Sequence, residues 1–199
     1  MGAHELSRLS DPDFDLEDPV TFEVIAQRLH GLGPFDLVLD ATGVLSISGH
    51  GPEKRLEELD GQRLQRYMAI NAIGPVLLLN ALRGNFVRGP CWYGKISARV
   101  GSITDNRLGG WYGYRASKAA LNMLLQTAGI ELRRRHPELR IVALQPGTVR
   151  SRLSEVFLKP DTPTIEADVA AEGLLKALWD HPPQEGAGFI DHRGQSIPW

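Results

Sequence analysis

Apolar residues along the chain form short continuous runs that are separated by longer stretches with helical spacing. The run FDLVLDATG at 35–43 ends in a small residue and a glycine, and this pattern predicts a buried parallel strand. GKISARVGS at 94–102 predicts a second strand, and RIVALQPGTV at 140–149 predicts a third. GAGFIDHRGQSIPW at 186–199 predicts a short final strand followed by a tail. The strands are far apart in sequence, so the connections between them are long enough for helices.

Four segments between and before these strands have helical patterns. Asp18 followed by proline predicts an N-cap with proline at the first helical position, for a helix that ends near His30. LQRYMAINAIGPVLLLNAL at 64–82 predicts a second helix with a local bend at its proline, Pro75. Further helices are predicted from Tyr114 to about His136 and at 165–181. Strands that alternate with helices predict an α/β fold, an open parallel sheet with helices on both faces, in one domain spanning 1–199.

Composition and charge exclude several classes of function. The 199 residues are 42% apolar with a net charge of −2 and no long basic block, which argues against a nucleic-acid or anionic membrane partner. The single cysteine, Cys91, excludes an internal disulfide framework and favours a reducing cytoplasm. No signal-peptide pattern and no membrane-length apolar run occurs, and the scattered histidines predict no metal site.

GYRASKAALNML at 113–124 carries the first candidate chemistry. Tyr114 and Lys118 are four residues apart, so on a helix they share one face and can approach a common ligand. A nearby cation lowers the pKa of a tyrosine from about 10, which suits proton transfer to a carbonyl or from an alcohol. The alternative is a helix with one aromatic residue and one solvated lysine.

Polar and glycine-containing segments follow three of the predicted strands. They are DATG at 40–43, ARVGS at 98–102 and QPGTV at 145–149. Because ligands bind at the carboxyl ends of parallel strands, we expect these segments to lie together around Tyr114.

With these motifs in this order, the chain resembles the short-chain dehydrogenase/reductase family, in particular its small carbonyl-reductase-like or C-factor-like branch. The likeness rests on ISARVGSI at 96–103, GGWYGYRASKAALN at 109–122 and the ending IPW. It implies a Rossmann-like sheet and hydride transfer between NAD(P)H and a carbonyl or alcohol. It also implies that Tyr114 is the acid–base residue and that Lys118 lowers its pKa and holds the nicotinamide ribose. Asn71, in MAINAIGP, would support a proton-relay water.

The resemblance also implies a set of residues that contact the cofactor, in addition to Tyr114 and Lys118. Arg8 would read the 2′-phosphate of NADP, with NAD as the other possible cofactor. The remaining residues would lie beside the adenine, its ribose and the nicotinamide; they are Asp15, Leu16, Ala41, Thr42, Gly43, Pro146, Gly147, Val149 and Ser151.

Two features depart from the family pattern. Ala98 stands where the family has a serine that binds the substrate carbonyl, and Ser102 either supplies that hydroxyl or is an ordinary loop serine. The family's first strand, glycine-rich turn and helix have no counterpart, since GAHELSRLS at 2–10 resembles the second strand. The resemblance therefore implies an N-terminally truncated sheet with unpaired strand edges, one of them beside FDLVLD, and weakened binding of the cofactor pyrophosphate.

Three hypotheses for function remain at this point. The first is a cytoplasmic NAD(P)(H)-dependent oxidoreductase that acts on a small carbonyl or alcohol and forms a homo-oligomer through the helices starting near Leu64 and Tyr114. The second is a truncated or degenerate family member without catalysis that acts as a binding or oligomerisation partner. The third is a small-molecule binder that uses the same cleft without a cofactor.

Overall fold

The computed structural model describes residues 3–7, 11, 14–18, 20–151, 154, 157 and 161–199. The strands in these ranges form one parallel sheet in the order β1–β2–β3–β4. Their bounds are β1 Leu37–Asp40, β2 Cys91–Ile96, β3 Leu139–Gln145 and β4 Ala187–Asp191. The helices are α1 Val20–His30, α2 Gly61–Met68, α3 Gly74–Leu82, α4 Tyr112–Leu132 and α5 Ala167–Asp180. The predicted α/β fold with an open parallel sheet is confirmed.

The largest differences from the predicted bounds lie in the second strand and the second helix. β2 begins at Cys91 and ends at Ile96, because Arg99–Gly101 turns as a short 3-10 helix. The predicted helix at 64–82 is divided into α2, a π-helical turn at Ala69–Ile73 and α3. Pro75 lies in the first turn of α3, where its missing N–H costs little, and the irregular turn directly precedes it.

Helices pack on both faces of the sheet. On one face α3 and α4 bury leucines such as Leu79 and Leu121 against β2 and β3, with α1 packed against α3. On the other face α5 places Leu174 and Leu178 against Val142 and its neighbours. Each face of the sheet thus contributes to a hydrophobic cluster that it shares with the helices packed on it.

The two edges of the sheet differ. The C-terminal tail runs back along β4, where Ile197 N donates to Phe189 O at 2.8 Å. Within the described ranges β1 pairs only with β2, and its Leu37 and Leu39 side chains are 36% and 42% exposed. The predicted open edge beside this strand is therefore present.

Residues 3–7 form no strand, so the prediction of a strand at 2–10 is wrong for the part that the structure describes. These residues lie across a groove of about 960 Å³ from β1, and the groove is lined by both segments. The separation explains the missing strand, because ladder hydrogen bonds require neighbouring backbones about 4.8 Å apart.

No helix within the described ranges combines the length and the apolar character needed to cross a bilayer.

Candidate active site

The start of α4 is fixed by a buried glutamate from the loop between β1 and α2. Glu53 accepts hydrogen bonds from Trp111 N through its backbone oxygen and from Gly113 N through Oε2, the latter at 3.0 Å. Trp111 has a φ of 56°, a left-handed conformation that is uncommon for a bulky residue. A carboxylate at a helix N-terminus satisfies a free N–H and interacts favourably with the helix dipole. Glu53 thereby holds the turn that positions Tyr114.

Tyr114 lies among aromatic rings in this first turn of α4. Its ring makes edge-to-face contacts with Tyr67, at a centroid distance of 6.4 Å, and with Trp111, at 6.1 Å. Burial, with a smaller contribution from Tyr67, raises the pKa of Tyr114 to about 12. The expected lowering of this pKa by Lys118 is therefore wrong for this structure.

The Lys118 side chain reaches the end of β2. Its Nζ donates to Ile96 O at 3.2 Å and lies 5.7 Å from the centroid of the Tyr114 ring. The pKa of Lys118 is lowered to about 7, chiefly by burial and then by the positive charge of Lys95, while the negative charge of Asp40 opposes both effects. The side chain is therefore a buried amine that titrates near neutral pH.

Asn71 connects α4 to the turn after β1. It lies in the π-helical turn, fully buried, and its Oδ1 accepts from Val44 N at 2.8 Å. Its Nδ2 donates to Val44 O at 3.0 Å and to Ser117 Oγ at 3.1 Å. A π-helical turn rotates the side chains that follow it relative to a regular helix, which is a common device at functional sites.

Gly43 lies next to both Asn71 and Lys118. Its φ is +145°, and a Cβ at this position would lie 3.1 Å from Asn71 Oδ1 and 3.4 Å from Lys118 Nζ. The structure thus brings Gly43, Asn71, Tyr114 and Lys118 together at the carboxyl end of the sheet, as the sequence predicts.

A buried charge cluster beside this site was not found from the sequence. Asp40 and Lys95 are register partners on β1 and β2, both side chains have 0% exposure, and Lys95 Nζ lies 3.1 Å from Asp40 Oδ1. Lys95 Nζ also donates to Thr42 O at 2.5 Å, and Tyr93 Oη donates to Asp40 Oδ2 at 3.0 Å. Burial lowers the pKa of Lys95, and the neighbouring Asp40 opposes this. A lysine within the apolar strand CWYGKI is the signal that could have found it.

Ser102 lies directly after the Arg99–Gly101 turn, which packs against the backbone of Lys118. The serine is 1% exposed, and its Oγ accepts a hydrogen bond from Asp105 N at 3.0 Å. Its proposed contact with a substrate stays a prediction. Ser97 Oγ donates to Asn122 Oδ1 at 2.7 Å, on the α4 side of the sheet.

The groove beside β1 contains most of the residues expected around the adenine end of a cofactor. It is lined by Leu16 and by the turn Ala41, Thr42 and Gly43. Asp15 instead shapes its own loop, since its Oδ1 accepts from Glu17 N at 2.9 Å. Arg8 lies outside the described residues.

The cations that line this groove already have partners. Arg66 forms two hydrogen bonds to the Glu17 carboxylate, at 2.8 and 2.9 Å, and Arg28 forms an ion pair with Asp11. A phosphate bound here would therefore compete with carboxylates for these guanidinium groups.

The segment after β3 lies at the carboxyl end of the strand beside β2. Gly147 has a φ of +82° and packs against Ile165, which forms a bridge with Val149. Pro146 precedes this turn, and the Ser151 hydroxyl forms a hydrogen bond with that of Ser154 at 3.2 Å. The expected contacts of Pro146, Gly147, Val149 and Ser151 with a nicotinamide stay predictions.

The chain matches known proteins of one family. The sequence profile of the family described as short chain dehydrogenase matches residues 12–161. The C-signal protein of Myxococcus xanthus is 31% identical over 169 residues, which cover 84% of this chain and 94% of that protein. The 1-hydroxy-2-glutathionyl-2-methyl-3-butene dehydrogenase of Rhodococcus sp. (strain AD45) is 30% identical over 190 residues, 95% of this chain and 80% of that enzyme.

A solved structure agrees as well. A short-chain dehydrogenase/reductase from Burkholderia multivorans with bound NADP superimposes with a TM-score of 0.78 at 28% identity, over 96% of this chain and 80% of that one. The resemblance drawn from ISARVGSI and GGWYGYRASKAALN is confirmed, and the chain belongs to the short-chain dehydrogenase/reductase family.

Proposed function

We propose that this chain is a nicotinamide-dependent oxidoreductase that reduces a small carbonyl compound to an alcohol, with Tyr114 as the proton donor. The observation that carries the proposal is the convergence of Tyr114, Lys118, Asn71 and Gly43 at the carboxyl end of β1 and β2. Membership of an oxidoreductase family supports the reaction type, and the NADP bound to the Burkholderia relative supports the class of cofactor.

The residues fit the ribose and nicotinamide end of such a cofactor. Gly43 leaves open the space that a Cβ would fill next to Lys118 Nζ and Asn71 Oδ1. The groove of about 960 Å³ is within the range of ligand pockets, and the Ala41–Gly43 turn lines it. Ala41, Thr42 and Gly43 would contact one ribose, and Lys118 would donate to the hydroxyls of the other.

The phosphate end has fewer contributions from the described residues. Arg28 and Arg66 line the groove but are paired with Asp11 and Glu17. Each charge-assisted hydrogen bond to a phosphate contributes about 1.5–3 kcal/mol, so we expect weaker cofactor binding than a glycine-rich turn would give. The preference for NADP over NAD rests on Arg8, and a binding experiment has to compare both cofactors.

The protonation state of Tyr114 is the one from which carbonyl reduction starts. A bound nicotinamide supplies the hydride. With a pKa of about 12, Tyr114 is a neutral phenol at neutral pH and holds a proton that it can donate to a developing alkoxide. Lys118 and Asn71 would hold the ribose and a relay water. Ser102 would polarise the carbonyl through its O–H, because an Oγ that accepts from Asp105 N can still donate.

The test combines cofactor binding with a matched pair of tyrosine variants. Calorimetry with NADPH and NADH should give a Kd below about 1 mM for at least one of them, and a screen of small carbonyl compounds should show turnover. Tyr114→Phe should lower turnover about 10²- to 10⁴-fold with little change in the cofactor Kd. Tyr112→Phe, which removes a hydroxyl two residues earlier on α4, should leave both unchanged.

Two results would contradict the proposal. One is the absence of binding by a folded sample at about 1 mM of either cofactor, which would leave the non-catalytic hypothesis. The other is equal turnover by wild type and Tyr114→Phe, which would remove the tyrosine from the reaction.

A further inference from the structure

We propose that Lys95 is a positioning residue for this site: its ammonium group holds the Ala41–Gly43 turn from behind and places a second buried positive charge beside Lys118. The proposal concerns the site described above and rests on its proposed function only for what the positioned turn binds. Lys95 belongs to β2, whereas Tyr114 and Lys118 belong to α4.

Lys95 Nζ contacts both the end of β1 and the turn that follows it. Its Nζ donates to Thr42 O at 2.5 Å and lies 3.3 Å from both Asp40 O and Thr42 Oγ1. The Asp40 carboxylate is in turn bonded by Thr42 Oγ1 at 2.6 Å. The next residue, Gly43, is the one whose open space borders Lys118 Nζ. One side of the turn therefore contacts Lys95, and its other side faces Lys118.

The charged groups around Lys118 do not favour its protonation. The ionisable groups that face it are Lys95 from β2, Asp40 from β1 and the phenol of Tyr114 on its own helix. Asp40 is already engaged by Lys95, Thr42 and Tyr93, so one carboxylate serves two neighbouring lysines. In a low-dielectric interior the like charge on Lys95 therefore opposes protonation of Lys118.

This arrangement has a consequence for a ligand. Near pH 7 part of the Lys118 side chains are neutral amines, which can donate to a ribose hydroxyl. Binding of the ribose then removes neither strongly bound water nor a carboxylate partner from Lys118. Lys118 Nζ has Ile96 O as its hydrogen-bond partner, a neutral acceptor. Asp40 and Lys95 thus form a buried ion pair beside the turn, and the Lys118 amine remains available to bind a ligand.

The test reads the titration of Lys118 directly. The chain has five lysines, so NMR of protein labelled at the lysine ε-carbons gives five signals, and Lys118→Met assigns the one in question. In wild type we expect the Lys118 signal to titrate near pH 7. Because Lys95 Nζ lies 3.1 Å from the Asp40 carboxylate, we expect the Lys95 signal to remain that of an ammonium group. In Lys95→Met the Lys118 midpoint should shift upward, because a like charge is removed while Asp40 stays.

A second variant covers the case in which Lys95→Met, which leaves a buried unpaired carboxylate, does not fold. The double variant Asp40→Asn/Lys95→Met removes both charges and keeps an acceptor for Tyr93, and it should also shift the Lys118 midpoint upward, by less. Lys176→Met, an exposed lysine on α5 that pairs with Asp180, is the matched control and should leave the midpoint unchanged.

An unchanged Lys118 midpoint in a folded Lys95 variant would overturn the proposal, and so would a neutral Lys95 in wild type at pH 7. None of these readings needs a cofactor or a substrate. A chain that binds no NADPH but shows the upward shift would therefore refute the proposed function and leave the role of Lys95 intact. Retained NADPH binding together with an unchanged Lys118 midpoint would refute the role of Lys95 and leave the proposed function intact.

Discussion

The buried Lys118 should make the stability of the fold depend on pH in a specific direction. Its pKa is about 7 in the folded protein and 10.5 when the side chain is unperturbed. Below pH 7 both states bind the proton, and the folded state bears the cost of a buried charge. Between pH 7 and 10.5 the unfolded chain binds more protons than the folded one, so the free energy of unfolding rises with pH.

The size of the effect follows from the two pKa values. Each pH unit within the interval adds up to about 1.4 kcal/mol, and the whole interval adds on the order of 5 kcal/mol. Lys118→Met has nearly the same shape and no proton to bind. The free energy of unfolding of wild type minus that of Lys118→Met should therefore increase by about 3 kcal/mol from about pH 7.5 to about pH 9.5.

Urea unfolding followed by tryptophan fluorescence at several pH values measures this difference. Lys176→Met is the matched control: pairing with Asp180 raises the pKa of Lys176, so its contribution stays constant below pH 10.5 and its difference curve should be flat in this range. A flat curve for Lys118→Met as well would show that Lys118 binds its proton equally well in both states, and the account of its burial would be wrong.

Three further substitutions test other contacts of the site. Gly43→Ala places a Cβ 3.1 Å from Asn71 Oδ1 at a φ of +145°, and should lower the free energy of unfolding by about 1–3 kcal/mol in urea; an unchanged midpoint would contradict the strain argument. Glu53→Ala removes the acceptor of Gly113 N–H and should cost about 0.5–2 kcal/mol in the same assay, whereas Glu53→Gln keeps an acceptor oxygen and should cost less; equal losses would speak against the helix cap. Leu39→Lys puts a charge on the open edge of β1 and should reduce light scattering by concentrated samples, and unchanged scattering would mean that copies do not associate through this edge.

The elements and the catalytic pair could be predicted from local pattern. The apolar run FDLVLD contains β1, and the helix predicted after Asp18 is α1, which begins at Val20. Tyr114 and Lys118 needed only helical spacing to be placed on one face. These predictions depend only on residues that are close in sequence, because the periodicity of apolar residues indicates the type of element and the face on which each side chain lies.

The electrostatics of the site could not be predicted in the same way. The pairing of Asp40 with Lys95 depends on the register of two strands that are more than fifty residues apart in the chain. The raised pKa of Tyr114 depends on how deeply Tyr67 and Trp111 enclose it, and the i,i+4 spacing says nothing about that. A cation four residues away was expected to lower this pKa, and burial decided the sign instead.

The turn that follows β1 is the common support of the site. Lys95 of β2 holds it at Thr42, Lys118 of α4 borders it at Gly43, and Asn71 of the π-helical turn holds it at Val44 through both the N–H and the C=O. Asn71 also bonds Ser117, the residue before Lys118, so a shift of the turn changes the environment of α4 through two contacts. Removing the Asn71 carboxamide would take these partners from the partly buried N–H and C=O groups of Val44, and the cost would fall on the turn and on Lys118 together. The positions of the reactive groups in this fold thus depend on one short turn that three separate elements hold in place.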